Sequence, residues 1–232
     1  MKPAALYLAL AALSLPGLAG AEQPVVVELF TSQGCSSCPP ADKIMHRLAA
    51  RDDVIGLALH VDYWDYIGWK DTFASPANTL RQQAYARSGG RTMIFTPQMV
   101  VQGGQDVVGT READVMRLIE AQKAQPAQAE LSVSRAEDAV SISLTPAGAG
   151  STGDHVLQLV RYAPLRHASI TRGELAGQEL DYANVVESMT VVGRWNGSAA
   201  LDLTVPVEGD LPVVVLVQRA DAGPIVAAAR IR

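Results

Sequence analysis

The sequence predicts a mixed α/β fold in its first half and a β-rich second half. Apolar runs over residues 25–30 and 54–61 flank a segment with helical periodicity over residues 41–50. This is the pattern of a βαβ unit with parallel strands. Beyond residue 128 only short β-type runs separated by turn residues remain, as expected for a sandwich or a curled antiparallel sheet.

The N-terminal 21 residues have the features of an export signal. Met1-Lys2 gives a short positive start, an apolar run follows, and Ala19-Gly20-Ala21 has the small-residue pattern of a signal-peptidase site. The run of about 12 residues falls short of the roughly 20 that cross a bilayer, so an uncleaved anchor is the less favoured alternative. We expect cleavage after Ala21, a periplasmic or secreted protein, and no stable membrane insertion of the mature chain.

The remaining elements of the first half follow in the order α-β-β-α. Residues 76–87 are predicted to form a helix, and Gly103-Gly104 between residues 98–101 and 106–108 indicates a β-hairpin. Thr110 is expected to cap the last helix.

A linker around residues 125–128 leads into the second half, where no amphipathic helix is recognisable. We therefore divide the chain into an export signal (1–21), an α/β domain (22–125) and a β-rich, sandwich-like extension (126–232). The predicted strands of the extension are residues 131–133, 140–144, 156–162, 185–192, 201–207 and 213–218.

Composition excludes several functional classes. The chain is 48% hydrophobic and 19% charged, which suits a protein that buries a core and not a disordered tail. A net charge of −5 argues against binding nucleic acid. Two cysteines exclude a disulfide framework and a four-thiolate zinc site. Nothing in the sequence indicates a cofactor.

The two cysteines, Cys35 and Cys38, stand between the first strand and the first helix. A helix N-terminus stabilises a thiolate, which is the form that attacks disulfides. In this interpretation Cys35 attacks and Cys38 resolves. Pro39-Pro40 disfavours helical geometry at the preceding residue, so we expect the helix to begin near Pro40 and Cys38 to be partly extended.

Two other interpretations of the pair stay open. As a staple it would close a loop of about four residues, which the loop-entropy model values at only around 2 kcal/mol. As a metal site it would need further ligands, and the four histidines show no ligand-like grouping. The redox interpretation is favoured because it explains the spacing and the exported location together.

Thr96-Pro97 precedes the predicted hairpin. A trans proline that starts a strand is the usual case. A βαβ unit with a cysteine pair, followed by proline and a hairpin, resembles the thioredoxin fold. That resemblance implies a cis Pro97 beside the cysteines and a Thr96 backbone that binds an extended substrate.

Four segments between Val25 and Gly104 resemble an exported bacterial family with a thioredoxin-like fold, domain of unknown function 1223. They are VVVELFTSQGCSSCPPAD, HVDYWDYIGWKDTF, RQQAYA and TPQMVVQG. Downstream, Arg172-Gly173-Glu174 and Tyr182 to Val186 resemble the family's RGEN-x-G…Y-x-NVV segment, with Leu175 in place of the asparagine. The resemblance implies a thioredoxin-like domain with a helical insertion, followed by the β-rich extension.

An aromatic segment follows the second strand, near the strand ends where α/β sheets bind ligands. Trp64 and Trp69 either pack the inserted helix onto the sheet or line a groove for a partner. Asp62 and Asp65 either assist deprotonation of Cys38 or are solvated and capping carboxylates.

Together these observations predict an exported thioredoxin-like protein that exchanges disulfides with an exported protein or a small thiol or disulfide partner. The alternative is a non-enzymatic binding module, or a copper carrier that uses the same two thiols.

Overall fold

The computed structural model describes residues 23–148 and 151–231, so the export signal predicted over residues 1–21 lies outside the described residues. The α-helices are α1 (Pro39–Ala49), α2 (Pro76–Ser88) and α3 (Glu112–Lys123). The strands are β1 (Val25–Thr31), β2 (Val54–His60), β3 (Gln98–Val101), β4 (Gln105–Val108), β5 (Ala129–Ala136), β6 (Ala139–Pro146), β7 (His155–Ile170), β8 (Gln178–Trp195), β9 (Leu201–Pro206), β10 (Val213–Arg219) and β11 (Ile225–Ile231).

Eight of these strands form one mixed sheet in the order β11-β10-β7-β8-β2-β1-β3-β4. β1 and β2 are parallel and fully buried, which confirms the predicted βαβ unit. β3 and β4 form the predicted antiparallel hairpin. The sheet curls, so that β11 at one edge approaches the end of β3 near the other edge. There the backbone N–H of Ile225 donates to the carbonyl oxygen of Gln102 at 2.9 Å.

Alternate residues of the strands supply apolar side chains to opposite faces of the sheet. One face carries α2, whose Tyr85 packs with Phe30, Val160 and Leu216. On the opposite face, α1 and α3 cover β1, and a three-stranded sheet in the order β5-β6-β9 covers β7 and β10. The architecture is therefore a mixed α/β fold with a large mixed sheet and a second, smaller sheet.

The segment from residue 126 onward is β-rich, as predicted, and part of it packs as two layers. The layers are not a sheet pair of their own, however, because four strands of this segment continue the sheet of the first half. β8 lies parallel to β2 at Ala58 and Val185, and the Asn184 side chain donates to the carbonyl oxygen of Gly56 at 2.8 Å.

Several elements differ from the sequence prediction in their bounds, and one strand was not predicted. β7 and β8 are 16 and 18 residues long and include polar stretches in a projecting hairpin. β11 contains Ala227 to Ala229, and alanine has low strand propensity, so the sequence did not indicate this strand. Arg111, not Thr110, is the N-cap of α3.

Candidate functional site

Cys35 and Cys38 form a disulfide between the end of β1 and the start of α1, with their Cα atoms 5.4 Å apart. Cys38 is the N-cap of α1, and its carbonyl oxygen accepts from the backbone N–H groups of Ala41 at 2.8 Å and Asp42 at 3.1 Å. The prediction that Cys38 is partly extended is wrong, because the φ and ψ angles of Cys38 are helical, at −81° and −34°. The helix begins at Pro39, since the first helical position tolerates the fixed φ of proline and its missing N–H.

The loop that carries Thr96 and Pro97 lies beside the first turn of α1. The Thr96–Pro97 peptide bond is cis. A Cβ placed on Gly109 would lie 3.1 Å from the Ala41 Cβ atom of α1 and 3.2 Å from the Pro97 Cβ atom, so both elements meet at this glycine. Among the described residues, the backbone N–H and C=O of Thr96 have no hydrogen-bond partner.

Residues 62–73, which we call the cover loop, pack against the residues that precede Cys35 and against Thr96. The indole N–H of Trp64 donates to Thr96 Oγ1 at 2.7 Å, and that of Trp69 donates to Gln33 Oε1 at 2.8 Å. A Cβ on Gly34, next to Cys35, would lie 3.1 Å from the Trp64 Cβ atom. The two tryptophans are therefore brought to the cysteine pair and to Thr96 as half-buried packing residues; their binding of a partner stays a prediction.

Asp62 and Asp65 are not brought into contact with the cysteines. Asp62 Oδ1 accepts from the Thr79 hydroxyl at 2.6 Å, and Asp65 Oδ1 accepts from the backbone N–H of Asp71 at 3.1 Å. Both carboxylates hold the cover loop in shape. Neither forms a hydrogen bond to a cysteine within the part of the chain that the structure describes.

A different carboxyl group, that of Asp42, lies one helical turn after Cys38. Its side chain is buried, and Oδ1 accepts from the Thr31 hydroxyl at 2.9 Å. Burial raises the pKa of Asp42 to about 7, although His60 and the Thr31 hydrogen bond act in the opposite direction. Asp42 is not among the predicted site residues. Its place in the sequence, four residues after Cys38 and beside apolar helix positions, is the signal that could have identified it.

His60, at the end of β2, lies in the same buried region. Its Nδ1 atom is 2.7 Å from Asp71 Oδ2, and its ring stacks edge-to-face on Tyr182 with centroids 4.7 Å apart. Burial alone would raise the pKa of Asp71, but the nearby His60 and hydrogen bonds, one of them from the Gln33 backbone N–H, lower it overall. Burial raises the pKa of Tyr182, with the negative charges of Asp42 and Asp71 acting in the same direction.

Four buried polar atoms around this region have no hydrogen-bond partner among the described residues. They are Gln33 Nε2, Asp42 Oδ2, His60 Nε2 and Tyr182 Oη. Such atoms are uncommon in protein interiors, and each one found in a folded chain calls for a functional or structural reason. Three of the four, Asp42 Oδ2, His60 Nε2 and Tyr182 Oη, belong to titratable side chains.

Two further features bear on the predicted alternatives. Within residues 23–148 and 151–231, no group of three or more histidine, cysteine, aspartate or glutamate side chains is placed to hold a metal ion. In the same ranges, no helix combines the length and the apolar character that a membrane span requires.

Comparison with known proteins gives a family and a structural relative. The model of the family described as "Protein of unknown function (DUF1223)" matches residues 26–218. A crystal structure of a protein from Agrobacterium tumefaciens, determined by a structural genomics consortium, is 30% identical in sequence and superimposes with a TM-score of 0.76. The alignment covers 89% of this chain and 93% of that protein. No curated protein matches the sequence.

Proposed function

The chain belongs to the DUF1223 family, and we propose that it is an exported thioredoxin-like protein that exchanges disulfides with an exported protein or a small thiol or disulfide partner. The observation that carries the proposal is the position of the disulfide, which joins the end of a buried parallel strand to the N-cap of a helix. A structural staple has no need of that position, whereas thiolate chemistry benefits from it.

The helix start favours the thiolate that exchange requires. The positive dipole end of α1 stabilises negative charge within its first turn. Backbone N–H groups add nothing further there, because Pro39 and Pro40 have none and those of Ala41 and Asp42 donate to the Cys38 carbonyl oxygen. The Ser37 hydroxyl lies 3.4 Å from the Cys35 sulfur and is placed to donate to a thiolate there. Cys35 is therefore the attacking cysteine and Cys38 the resolving one.

The exchange consists of two substitutions at sulfur. In the reduced protein, the Cys35 thiolate attacks a partner disulfide, so that a Cys35–partner S–S bond forms and the partner's other sulfur leaves as a thiolate. The Cys38 thiol then loses its proton and attacks Cys35, which re-forms the Cys35–Cys38 bond and releases the second partner thiolate. Two electrons pass to the partner. The reverse sequence oxidises a partner dithiol and reduces the pair.

In this proposal Asp42 is the group that accepts the Cys38 proton. It follows Cys38 by one helical turn, and both side chains are buried. A pKa of about 7 lets the carboxyl both accept and release a proton near neutral pH, which is the condition for efficient general acid–base work. In this proposal Asp42 takes the role that the sequence suggested for Asp62 or Asp65.

The order of elements supports a thioredoxin-like domain. β1, α1 and β2 form the βαβ unit, the β3–β4 hairpin pairs antiparallel to β1, and α3 packs on the same face as α1. α2, between β2 and β3, is then the helical insertion. The backbone of Thr96, before cis Pro97 and without an internal partner in the described chain, is the proposed binding element for an extended substrate.

A trapping experiment tests this function. In the exported full-length protein, Cys38→Ser removes the resolving thiol, so Cys35 should accumulate in mixed disulfides with its partners. Cys35→Ser is the matched control, because it removes the proposed attacking thiolate, which the Ser37 hydroxyl is placed to stabilise, and leaves only the proposed resolving thiol. Recovery of the same low background from both variants would overturn the proposal.

The copper-carrier alternative is tested with the same protein. Reduced wild type is titrated with copper(I) or zinc, and thiol accessibility is followed by alkylation. Metal protection of both thiols, together with a negative trapping result, would identify the pair as a metal-binding site. Trapped partners without metal protection would support exchange.

A further inference from the structure

We propose that the cover loop is a gate, which has to move before a reagent can reach the disulfide, and that the tip of the β7–β8 hairpin, residues 171–177, stabilises the closed position of this loop. The β-rich half of the chain would then regulate the cysteine pair. This inference rests on the proposed function and adds to it the control of access to the same site.

The gate is closed in this structure. Cys35 is 1% exposed and Cys38 is 0% exposed, although the intervening serines lie at the surface. An attacking thiolate has to approach a sulfur atom directly, so exchange requires that covering residues move away. Trp64 and Ile67 pack against Gly34, the residue before Cys35, since a Cβ on Gly34 would lie 3.1 and 3.2 Å from their side chains.

Hydrogen bonds tie the cover loop to the segments on both sides of the disulfide, in addition to those that join Asp71 to His60 and Asp62 to Thr79. On the side of Cys35, Trp69 donates to the Gln33 side chain at 2.8 Å, and the Gln33 backbone N–H donates to Asp71 at 2.8 Å. On the side of Pro97, Trp64 donates to Thr96 at 2.7 Å. Both tryptophan bonds join side chains, to Gln33 before the cysteine pair and to Thr96 before Pro97. Breaking them therefore breaks no backbone hydrogen bond between β1 and β2.

The hairpin tip, residues 171–177, lies against the outer side of the gate. A Cβ on Gly173 would lie 3.2 Å from the Trp69 Cβ atom and 3.7 Å from the carbonyl oxygen of Ile67. Gly173 also has a φ of +76°, which favours glycine. At the base of the tip, the Tyr182 ring packs edge-to-face on Phe73, at the end of the cover loop, with centroids 5.9 Å apart.

This arrangement gives a reason for the length of the β7–β8 hairpin, because only the projecting part of the hairpin reaches the cover loop. The gate has the disulfide on its inner side and the hairpin tip on its outer side. A side chain at position 173 would press on Trp69 and displace the gate. The packing of the hairpin tip against Trp69 therefore determines how often the cover loop opens. The frequency of such local opening determines how fast the covered disulfide reacts.

The test measures the rate at which a small phosphine reduces the disulfide in the folded full-length protein, with free thiols counted by alkylation and mass. Gly173→Ala places a methyl group against Trp69 and should accelerate reduction about tenfold through more frequent local opening. Gly177→Ala is the matched control in the same hairpin, because Gly177 also has a positive φ, of +84°, but a Cβ there meets nothing within 4 Å. Its rate should stay within about twofold of wild type.

A second pair of variants removes one closing bond without adding bulk. Trp69→Phe deletes the indole N–H that holds Gln33 and should also accelerate reduction. Trp195→Phe deletes a comparable bond, from Trp195 to the carbonyl oxygen of Ala199 at 2.7 Å, in the core between the two sheets and should leave the rate unchanged. Low urea concentrations should have little effect on the accelerated rates, because local opening exposes little surface.

The proposal is overturned if Gly173→Ala and Gly177→Ala react at equal rates, or if Trp69→Phe matches wild type. Rates that rise steeply with urea in every variant would show that reduction follows global unfolding, which also overturns it. The phosphine needs no biological partner, so failure here leaves the trapping result for Cys38→Ser unaffected. A negative trapping result likewise leaves the gate measurement intact.

Discussion

Replacing Asp42 with asparagine tests whether burial holds a titratable carboxyl group behind the disulfide. Asparagine has nearly the same shape, and its side-chain oxygen can keep the hydrogen bond from the Thr31 hydroxyl at 2.9 Å. The substitution removes the ionisation, and its NH2 group takes the place of the buried Oδ2 atom that has no partner among the described residues, which adds a cost that does not change with pH. Its effect on the free energy of unfolding should depend on pH in a way that follows from the pKa of the carboxyl.

The sign follows from proton binding. The pKa of Asp42 is about 7 in the folded chain, against an ordinary value of 3.8. Between these values the folded chain binds more protons at this carboxyl than the unfolded chain does, so the free energy of unfolding falls as pH rises. At about 1.4 kcal/mol for each pH unit, the ionised carboxyl costs about 4 kcal/mol above pH 7 and nothing below pH 4.

Urea unfolding of the disulfide-intact protein at pH 4, 6 and 8 measures this difference. Relative to wild type, Asp42→Asn should gain up to about 4 kcal/mol of unfolding free energy between pH 4 and pH 8. Asp53→Asn is the control, because hydrogen bonds from Arg51 and Lys123 lower the pKa of Asp53 below its ordinary value of 3.8. Its ionised form is therefore stabilising at all three pH values, and the stability lost in this variant should hardly change between pH 4 and pH 8. A difference between Asp42→Asn and wild type that does not change with pH would refute the reasoning.

The same variant separates stability from catalysis. If Asp42 accepts the Cys38 proton, Asp42→Asn should slow the resolving step even though it removes the cost of the ionised carboxyl at pH 8. The lifetime of a mixed disulfide between Cys35 and a model thiol reports that step directly. If the lifetime and its pH profile are the same in Asp42→Asn and in wild type, Asp42 does not accept the Cys38 proton. Its ionisation would then affect only the stability of the fold, and another group would be the proton acceptor.

Two further substitutions test the packing that supports the site. Glu28→Gln should destabilise the fold by about 3–5 kcal/mol in urea unfolding, because the Arg81 guanidinium, 2.6 Å from the Glu28 carboxylate, would stay buried without its counter-charge; a loss below 1 kcal/mol would contradict this. Gly197→Ala would place a Cβ 1.6 Å from the Ser151 carbonyl oxygen and should prevent stable folding, whereas Gly90→Ala, also at positive φ but in open space, should cost only about 1–2 kcal/mol in a thermal melt. Similar melts for the two alanine variants would show that the Ser151 contact is unimportant.

The parts of the fold that local signals specify agree with the sequence prediction. Val25 to Phe30 and Val54 to Val61 are apolar except for Glu28 and His60, because both faces of these strands are buried, and no distant residue is needed to identify them. Gly103-Gly104 marks the hairpin because its turn requires positive φ, and Gly103 has a φ of 65°. The cis geometry of Pro97 came from the resemblance to a fold, since the residues themselves favour trans.

The unpredicted features depend on contacts between distant segments. Asp42 becomes a buried acid because Thr31 and His60, on two strands, close around it. Ala227 and Ala228 form a strand because β10 supplies its hydrogen-bonding partner and apolar neighbours cover them. A sequence pattern contains no information on which strand will lie beside which. It therefore predicts individual strands, but it does not predict a site formed by residues from several neighbouring strands.

The order of the strands also decides how the two halves of the sequence relate to the disulfide. β8 lies next to β2, so Tyr182 reaches His60 and the hairpin tip reaches Trp69. A chain cut at residue 125 would retain both cysteines and Thr96-Pro97 but would lose the outer support of the cover loop and one wall around His60. The predicted division at that residue therefore separates two stretches of sequence, while the candidate site is built from both. A partner that binds the hairpin would influence the disulfide without contacting either cysteine.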